Sequence, residues 1–465
     1  MTETDKIVQF VDKNWDQIQK DMADLIAIPS VKDAANASDE APFGPGPRRA
    51  LDQVLKTARS LGLETHPCDG YCGIADLKGE DDQEIAMVTH VDVVPVSDTW
   101  NTDPFQLVVK DGWMLGRGIQ DDKGPSILGL WAAAYFIKND IKPKHTIRFI
   151  FGSDEESGMA AVKKYVTENP QPDFMITADA EFPVISGEKG IIHGVCTMEL
   201  PEGSAIRSIK AGVAGNVVPA SAQAQVMVGD DQLEAAPFIQ IDQAGDGIAT
   251  ISASGISGHA STPEGTRNAI KVLMDYLSQH DLLSPVDEHW AKFVRTLVAD
   301  SYGDALGIAC KDDFLGELTC VGSMLNSKDG VLTQAIDIRY PTATTLEQLQ
   351  SAIETQLGQA GTFNPGHTEN FHVVDPASEP VQALMESYGL LTGEHKEPVA
   401  IGGGTYAKRF QKGVAFGPVE LERELPPWVG AIHADNEGMS IAEAKLALAI
   451  YITALLRLQD IDLRA

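Results

Sequence analysis

Three short apolar runs that stop abruptly at polar, ligand-type side chains constrain this chain more than any other feature. Ile85-Ala86-Met87-Val88 leads into Thr89-His90-Val91-Asp92, Ile147-Arg148-Phe149-Ile150-Phe151 into Gly152-Ser153-Asp154-Glu155-Glu156, and Phe174-Met175-Ile176-Thr177 into Ala178-Asp179. Runs of this length with β-branched and aromatic content read as buried strands, each carrying imidazole or carboxylate at its C-terminal end. Between the first two lies a helical stretch that opens at Pro125 and continues through Leu128, Trp131, Ala132, Tyr135 and Phe136. Pro is suited to a first helical turn because its missing N–H would be unpaired there in any case. Strand and helix therefore alternate, which predicts an α/β fold whose ligands gather at the carboxyl ends of the strands.

The texture changes between about residues 190 and 380. Polar or Gly-rich turns such as Gly229-Asp230-Asp231 separate β-like runs at Ile248 to Ala253 and Leu332 to Arg339, with helical patterns at Asn268 to Ser278 and Leu346 to Leu357. The α/β texture resumes at Pro398-Val399-Ala400-Ile401 and Val414-Ala415-Phe416, and a helix closes the chain from Ala442 to Leu458. The expected organisation is a catalytic α/β domain with a mixed central sheet flanked by helices, built from residues 1–189 and 382–465. A large α+β domain, residues 190–381, is inserted into it.

Composition excludes several partners. The 465 residues carry 36 Lys+Arg against 67 Asp+Glu, a formal charge of −31, so a polyanion or an anionic membrane surface meets a repulsive field. No nucleic-acid or membrane partner is expected. The longest apolar run, Ile127 to Ile137, is about half of what a membrane span needs. The segment from Met1 to Met22 has an amphipathic helical pattern (Ile7, Phe10, Val11, Trp15, Ile18) and no export-signal order. Five cysteines do not make a disulfide scaffold, and Cys68 and Cys72 lack a second Cys or His pair at metal-finger spacing, so they read as two ordinary thiols. A soluble, cytoplasmic protein is expected.

The polar strand ends supply chemistry. His90 and Asp92 share one strand face by parity, which suits a carboxylate that orients an imidazole. Asp121 and Asp122 lie in the Gly-rich turn Gly116-Arg117-Gly118-Ile119-Gln120-Asp121-Asp122-Lys123-Gly124, where a helix-capping Asp is the simplest role. Adjacent Glu155 and Glu156 repel at a strand exit unless cations or solvent screen them. With Asp179 and His433 these residues make a set of oxygen and imidazole ligands suited to Zn²⁺, with Mn²⁺ or Co²⁺ as alternatives. Two metals with one shared carboxylate and three protein contacts each require five ligands. His90, Asp121, Glu156, Asp179 and His433 meet that count, leaving Glu155 as a general base.

These segments, Thr89-His90-Val91-Asp92-Val93-Val94-Pro95, Gly116-Arg117-Gly118 with Asp121-Asp122-Lys123-Gly124, Ser153 to Gly158, and Asp179 to Pro183, resemble the co-catalytic zinc aminopeptidase-like family. Carnosinases, aminoacylases and desuccinylases belong to it. The long insert and Gly402-Gly403-Gly404-Thr405-Tyr406-Ala407 make the sequence most similar to the bacterial PepV-type dipeptidase branch. The resemblance implies two zinc ions bridged by Asp121, with His90 and Asp179 completing one site and Glu156 and His433 the other. Asp92 would orient His90, and Glu155 would act as base. In the insert, taken as a lid, Asn216 and His259 would contact the reacting carbonyl. Arg339 would hold the substrate's carboxylate by a bidentate fork, with Gly403, Gly404 and Thr405 adding donors. Glu181 is the candidate for the substrate amine. The implied activity is hydrolysis of short peptides with a free N-terminal amine. A deacylase of N-acyl amino acids and a non-catalytic binding homologue are the alternatives. A double-sized lid implies a functional monomer.

Overall fold

The computed structural model describes residues 2–228, 233–245 and 247–464. The Gly229-Asp230-Asp231 turn lies outside the described residues. The chain separates into two compact units, one of Met1–Gly187, Val373–Val399 and Gly404–Ala465, the other of Glu188–His372 and Ala400–Gly403.

In the first unit, the strand Glu84–His90 sits between Thr146–Gly152 and Phe174–Thr177 and runs parallel to both. Gly413–Ala415 continues the sheet in parallel beyond Phe174–Thr177. The hairpin Glu64–Cys68 and Cys72–Leu77 closes the other edge, antiparallel to Thr146–Gly152. The register pairs His90 with Gly152 and Val88 with Thr177, so the polar residues that end the three parallel strands emerge at one edge. Parallel strands buried on both faces need no alternation, and Glu84–His90 and Phe174–Thr177 are almost continuously buried.

Helix Lys123–Lys138 shows why such a sheet can be buried. Its residues from Lys123 to Phe136 are all buried, so it is apolar around its whole circumference rather than along one stripe. It packs on the sheet so closely that a Cβ at Gly129 would come within 2.7 Å of the Met87 sulfur. Helices Glu3–Ile26 and Ile441–Leu458 complete this core. The amphipathic pattern read at the N-terminus is realised, with Ile7, Phe10, Val11, Trp15 and Ile18 all buried.

The second unit is built on an eight-stranded sheet that is antiparallel throughout. Gly190–Glu199 from Ile192 onward, and Ser221–Met227 throughout, alternate buried and exposed residues, the signature of a sheet covered on one face. Helices Ala269–Gln279, Glu288–Leu297 and Leu346–Leu357 supply the cover through Leu273, Trp290, Leu297 and Ile353. Among the described residues no helix is long and apolar enough to cross a membrane.

Candidate metal centre and active site

The polar edge of the parallel sheet brings His90, Asp121, Glu156, Asp179 and His433 together. His90 Nε2 lies 2.9 Å from Asp121 Oδ1 and 3.6 Å from Asp179 Oδ2. On the other side of Asp121, His433 Nε2 lies 2.9 Å from Oδ2 and 3.1 Å from the Glu156 carboxylate. Asp121 thus presents one oxygen to each imidazole.

This arrangement fits bound cations on a specific observation. His90 Nε2 and Asp121 Oδ1 are both buried and close, yet no hydrogen bond joins them, and each lacks any other hydrogen-bond partner. Buried polar atoms left in this way are costly in a folded protein. Two lone-pair donors directed to a common third centre remove that cost. Ligand atoms of His90, Asp121 and Glu156 come within 4.8 Å of one another, as do those of His90, Asp122 and Asp179.

The electrostatics agree. Burial, then the nearby Asp179 charge, pushes the Glu155 carboxyl well above its ordinary range; His90 pulls it the other way, and Asp121 and Glu156 add to the rise. Burial also raises Asp179, with Asp121 adding to it, and it raises Glu156 against the hydrogen bond from His433. The imidazoles are raised as well, which for them favours the charged form. Hydrogen bonds to Asp121 and Glu156 raise His433 to about 10. Burial disfavours a charged His90, but Asp121, Asp179 and Asp92 outweigh it and raise that group as well. Asp121 alone among these carboxyls is lowered, because the two imidazoles outweigh its burial. Three carboxyls driven to hold protons and two imidazoles driven to charge mark a cluster short of positive charge, which divalent ions would supply.

Backbone contacts hold the cluster in place. His90 Nδ1 meets the Asp92 backbone carbonyl at 3.0 Å, closer than the Asp92 carboxylate at 3.4 Å. That carboxylate instead accepts the backbone N–H groups of Glu155 and Glu156 at 3.0 and 3.2 Å. Asp92 therefore fixes both ends of the site, through its carbonyl at His90 and through its side chain at the Glu155 loop. Asp122 occupies the N-cap position of the helix but makes no side-chain cap. Its carboxylate accepts the His90 backbone N–H at 3.0 Å, so the capping role read from sequence is replaced by support of His90. Glu181 is partly buried on the strand Ala180–Phe182, where burial and then Asp179 raise its carboxyl.

Two residues without an assigned role in the sequence reading organise the site. Glu437 is fully buried, and its carboxylate accepts backbone N–H groups from Gly118, Gln120 and Asp121 as well as the Arg117 guanidinium at 2.7 Å. Arg117 also donates to the His433 carbonyl at 3.2 Å. This pair ties the Asp121 turn to the His433 loop. The available signal was Glu437 four residues after His433 and Arg117 four before Asp121, but neither spacing shows that the two meet.

The second unit places its own candidates separately. Val217 pairs with His259 in a short ladder, and the Asn216 carbonyl accepts the Ala260 N–H at 2.9 Å, so Asn216 and His259 are neighbours. Both are exposed. His259 Nδ1 accepts the Ser261 backbone N–H at 3.1 Å, which places the ring proton on Nε2 as a donor. Burial and then Arg339 lower its pKa, favouring that neutral form. Arg339 is buried, with Nε and Nη2 on the two Asp337 oxygens at 2.7 and 2.9 Å and Nη1 on the Gly402 carbonyl at 2.8 Å. Of the fork expected to grip a substrate carboxylate, the Nε/Nη2 edge is therefore engaged by Asp337. Ser261 lies against Gly402, where a Cβ would come within 2.4 Å of it. Gly403 is partly exposed; in the first unit, Gly404 is exposed, while Thr405 is buried and caps a short helical turn by accepting the Ala407 N–H at 3.1 Å.

Comparison with known proteins agrees with this geometry. Residues 86–457 match the sequence profile described as Peptidase family M20/M25/M40. The chain is 32% identical over 462 residues to a Beta-Ala-Xaa dipeptidase of Lactobacillus delbrueckii subsp. lactis, covering 95% of this chain and 96% of that protein. Human carnosine dipeptidase 1 shares the fold at a TM-score of 0.61 and 14% identity, over 99% of this chain and 100% of that one. The YXEP protein of Bacillus subtilis, described as a dinuclear metal-binding peptidase of the M20 family, does so at 0.52 and 12%, over 95% and 97%. With its ligand-type cluster and its full-length similarity, this chain belongs to peptidase family M20/M25/M40 and is a hydrolase of that family.

Proposed function

We propose that this protein is a two-metal dipeptidase that cleaves dipeptides and other short peptides with a free N-terminal amine. The observation that carries this reading is the Asp121 carboxylate between His90 and His433, with Asp179 and Glu156 flanking it and Glu155 left over. The full-length similarity to a relative named Beta-Ala-Xaa dipeptidase supports the substrate class.

In this reading, His90 and Asp179 would hold one ion, Glu156 and His433 the other, and Asp121 would be shared. Such ions, when bound, acidify water and polarise the scissile carbonyl. Zn²⁺ suits the imidazole and carboxylate donors, with Mn²⁺ and Co²⁺ as alternatives. Glu155 takes the proton of the attacking water on a carboxylate oxygen. It returns that proton to the amide nitrogen as the C–N bond breaks, giving a free amine and a carboxylate. Asp92 keeps Glu155 in position by accepting its backbone N–H. His259 Nε2–H, with Asn216 beside it, stabilises the negative charge that develops on the carbonyl oxygen. Arg339 holds the substrate carboxylate through donors not engaged by Asp337, and Gly403, Gly404 and Thr405 contribute polar contacts. Glu181, beside Asp179, receives the substrate amine. Residues 190–381 act as the lid, and the protein works as a cytoplasmic monomer.

The test is a substrate panel. Metal-stripped protein reconstituted with Zn²⁺, Mn²⁺ or Co²⁺ is offered Ala-type dipeptides, β-alanyl-histidine, and N-acetyl and N-succinyl amino acids. Cleavage confined to substrates with a free amine supports the proposal. Preference for blocked amines would establish a deacylase, and no hydrolysis with any metal would establish a binding protein. Size-exclusion chromatography with light scattering reads the oligomeric state.

A further inference from the structure

Cys68 and Cys72 take no part in the site, yet the fold places them opposite one another. They end the two strands of the edge hairpin and are paired directly in its antiparallel register. Directly paired residues in such a ladder have Cα atoms about 4.5 to 5.5 Å apart and project to the same face. That separation falls within the span of about 4.4 to 6.8 Å that a disulfide bridges. The remaining cysteines differ: Cys196 and Cys320 are fully buried, and Cys310 has no cysteine opposite it.

The two thiols are also unlike each other. Cys72 is buried among Ile74, Val88, Ile150 and Tyr165, whereas Cys68 is partly exposed. The hydrogen bond from the Cys72 thiol lowers the Cys68 thiol, burial opposes this, and Lys164 assists it. The same hydrogen bond and burial raise Cys72. Lys164 reaches the hairpin tip, with Nζ 3.8 Å from Asp69 and over the Tyr71 ring. A partly exposed, more acidic thiol beside a protonated partner is the pairing that first reacts with an oxidant and then resolves.

We propose that Cys68 and Cys72 form a redox modification site, a dithiol that a hydroperoxide closes to a cross-strand disulfide within the hairpin. The Cys68 thiolate attacks one peroxide oxygen. The O–O bond breaks, the departing hydroxide takes a proton, and Cys68 becomes a sulfenic acid. The Cys72 sulfur then attacks the Cys68 sulfur, the S–S bond forms, and the S–O bond breaks with loss of water, which carries away the Cys72 proton. For hydrogen peroxide, two thiols and one oxidant give one disulfide and two waters.

The hairpin tip borders the strand end that carries the base. Cys72 lies opposite Gly152, and the Ser153 hydroxyl donates to the Tyr71 carbonyl at 2.7 Å, two residues before Glu155. Closure of the disulfide is therefore transmitted to the Glu155 loop, a consequence that rests on the dipeptidase reading.

The test treats reduced, metal-loaded protein with hydrogen peroxide, traps remaining thiols by alkylation, and maps peptides by mass spectrometry. Free thiols should fall from the five present to three, with a Cys68–Cys72 link that a thiol reductant reverses. Cys68→Ser protein should retain all its thiols at the same peroxide dose. Sulfinic or sulfonic acid at Cys68 without a link, or faster reaction at Cys310, would overturn the site. These thiol readouts stand whether or not peptides are substrates. With an active substrate in hand, turnover of the oxidised protein should fall by at least about twofold, recover on reduction, and be insensitive to peroxide in Cys68→Ser protein. A disulfide that forms without changing turnover would overturn the link to the Glu155 loop.

Discussion

The two units solve the problem of placing polar groups in different ways. In the first, parallel strands converge on one edge, and His90 and Asp121 are buried while Asp179 is 17% exposed, with backbone N–H groups and a buried Arg117–Glu437 pair fixing the cluster. In the second, the one-sided antiparallel sheet leaves Asn216 and His259 exposed on a short ladder, and its buried cation, Arg339, is already paired to Asp337. Buried carboxylates at close range are tolerable only with cations, whereas an exposed imidazole costs little until substrate covers it. The first unit thus buries its charged cluster, whereas the second leaves Asn216 and His259 open to solvent.

Several experiments would break or sharpen that contrast. Chelation should have the largest effect, abolishing hydrolysis, and adding Zn²⁺, Mn²⁺ or Co²⁺ should restore it, as followed by amine release and metal analysis. Full activity in metal-free protein would remove the basis of the first unit's design. Glu155→Ala should lower kcat by roughly 10²- to 10⁴-fold while bound metal stays unchanged. Normal turnover in that variant would end its assignment as base.

His259→Ala should reduce kcat by roughly 10²- to 10³-fold with a much smaller change in KM, as expected for a donor that acts in the transition state. An effect confined to KM would make it a binding residue. Glu437→Gln should have the smallest effect, weakening metal affinity by roughly 10- to 100-fold, because it supports the Asp121 and His433 segments without ligating. Competition with a chromogenic chelator measures this. Unchanged affinity would mean that the two segments hold their geometry without Glu437.

Legibility from sequence followed the same division. The strand ends at His90, Glu155–Glu156 and Asp179 were readable because an apolar run that stops at polar residues is a local pattern. The N-terminal helix and helix Leu346–Leu357 were readable for the same reason, since the 3.6-residue period of buried side chains lies within each segment. Glu437 was not readable as an anchor: an acid in an irregular loop looks the same whether it faces solvent or a guanidinium. The Asp337–Arg339 pairing lay between these cases. Its two-residue spacing puts both side chains on one face of a strand, but only the folded strand shows the fork turned onto its own neighbour.

The sequence by itself determined the strand and helix alternation, the ligand-type residues at the strand ends and the chain's acidity, because each depends on residue type and short-range period. Only the tertiary structure decided that the Arg117–Glu437 pair ties the Asp121 turn to the His433 loop, that Asp92 reaches the Glu155 loop, and that Cys68 faces Cys72. These contacts depend on strand order and register, which arise from packing between segments far apart in the chain and leave no signature in any one of them.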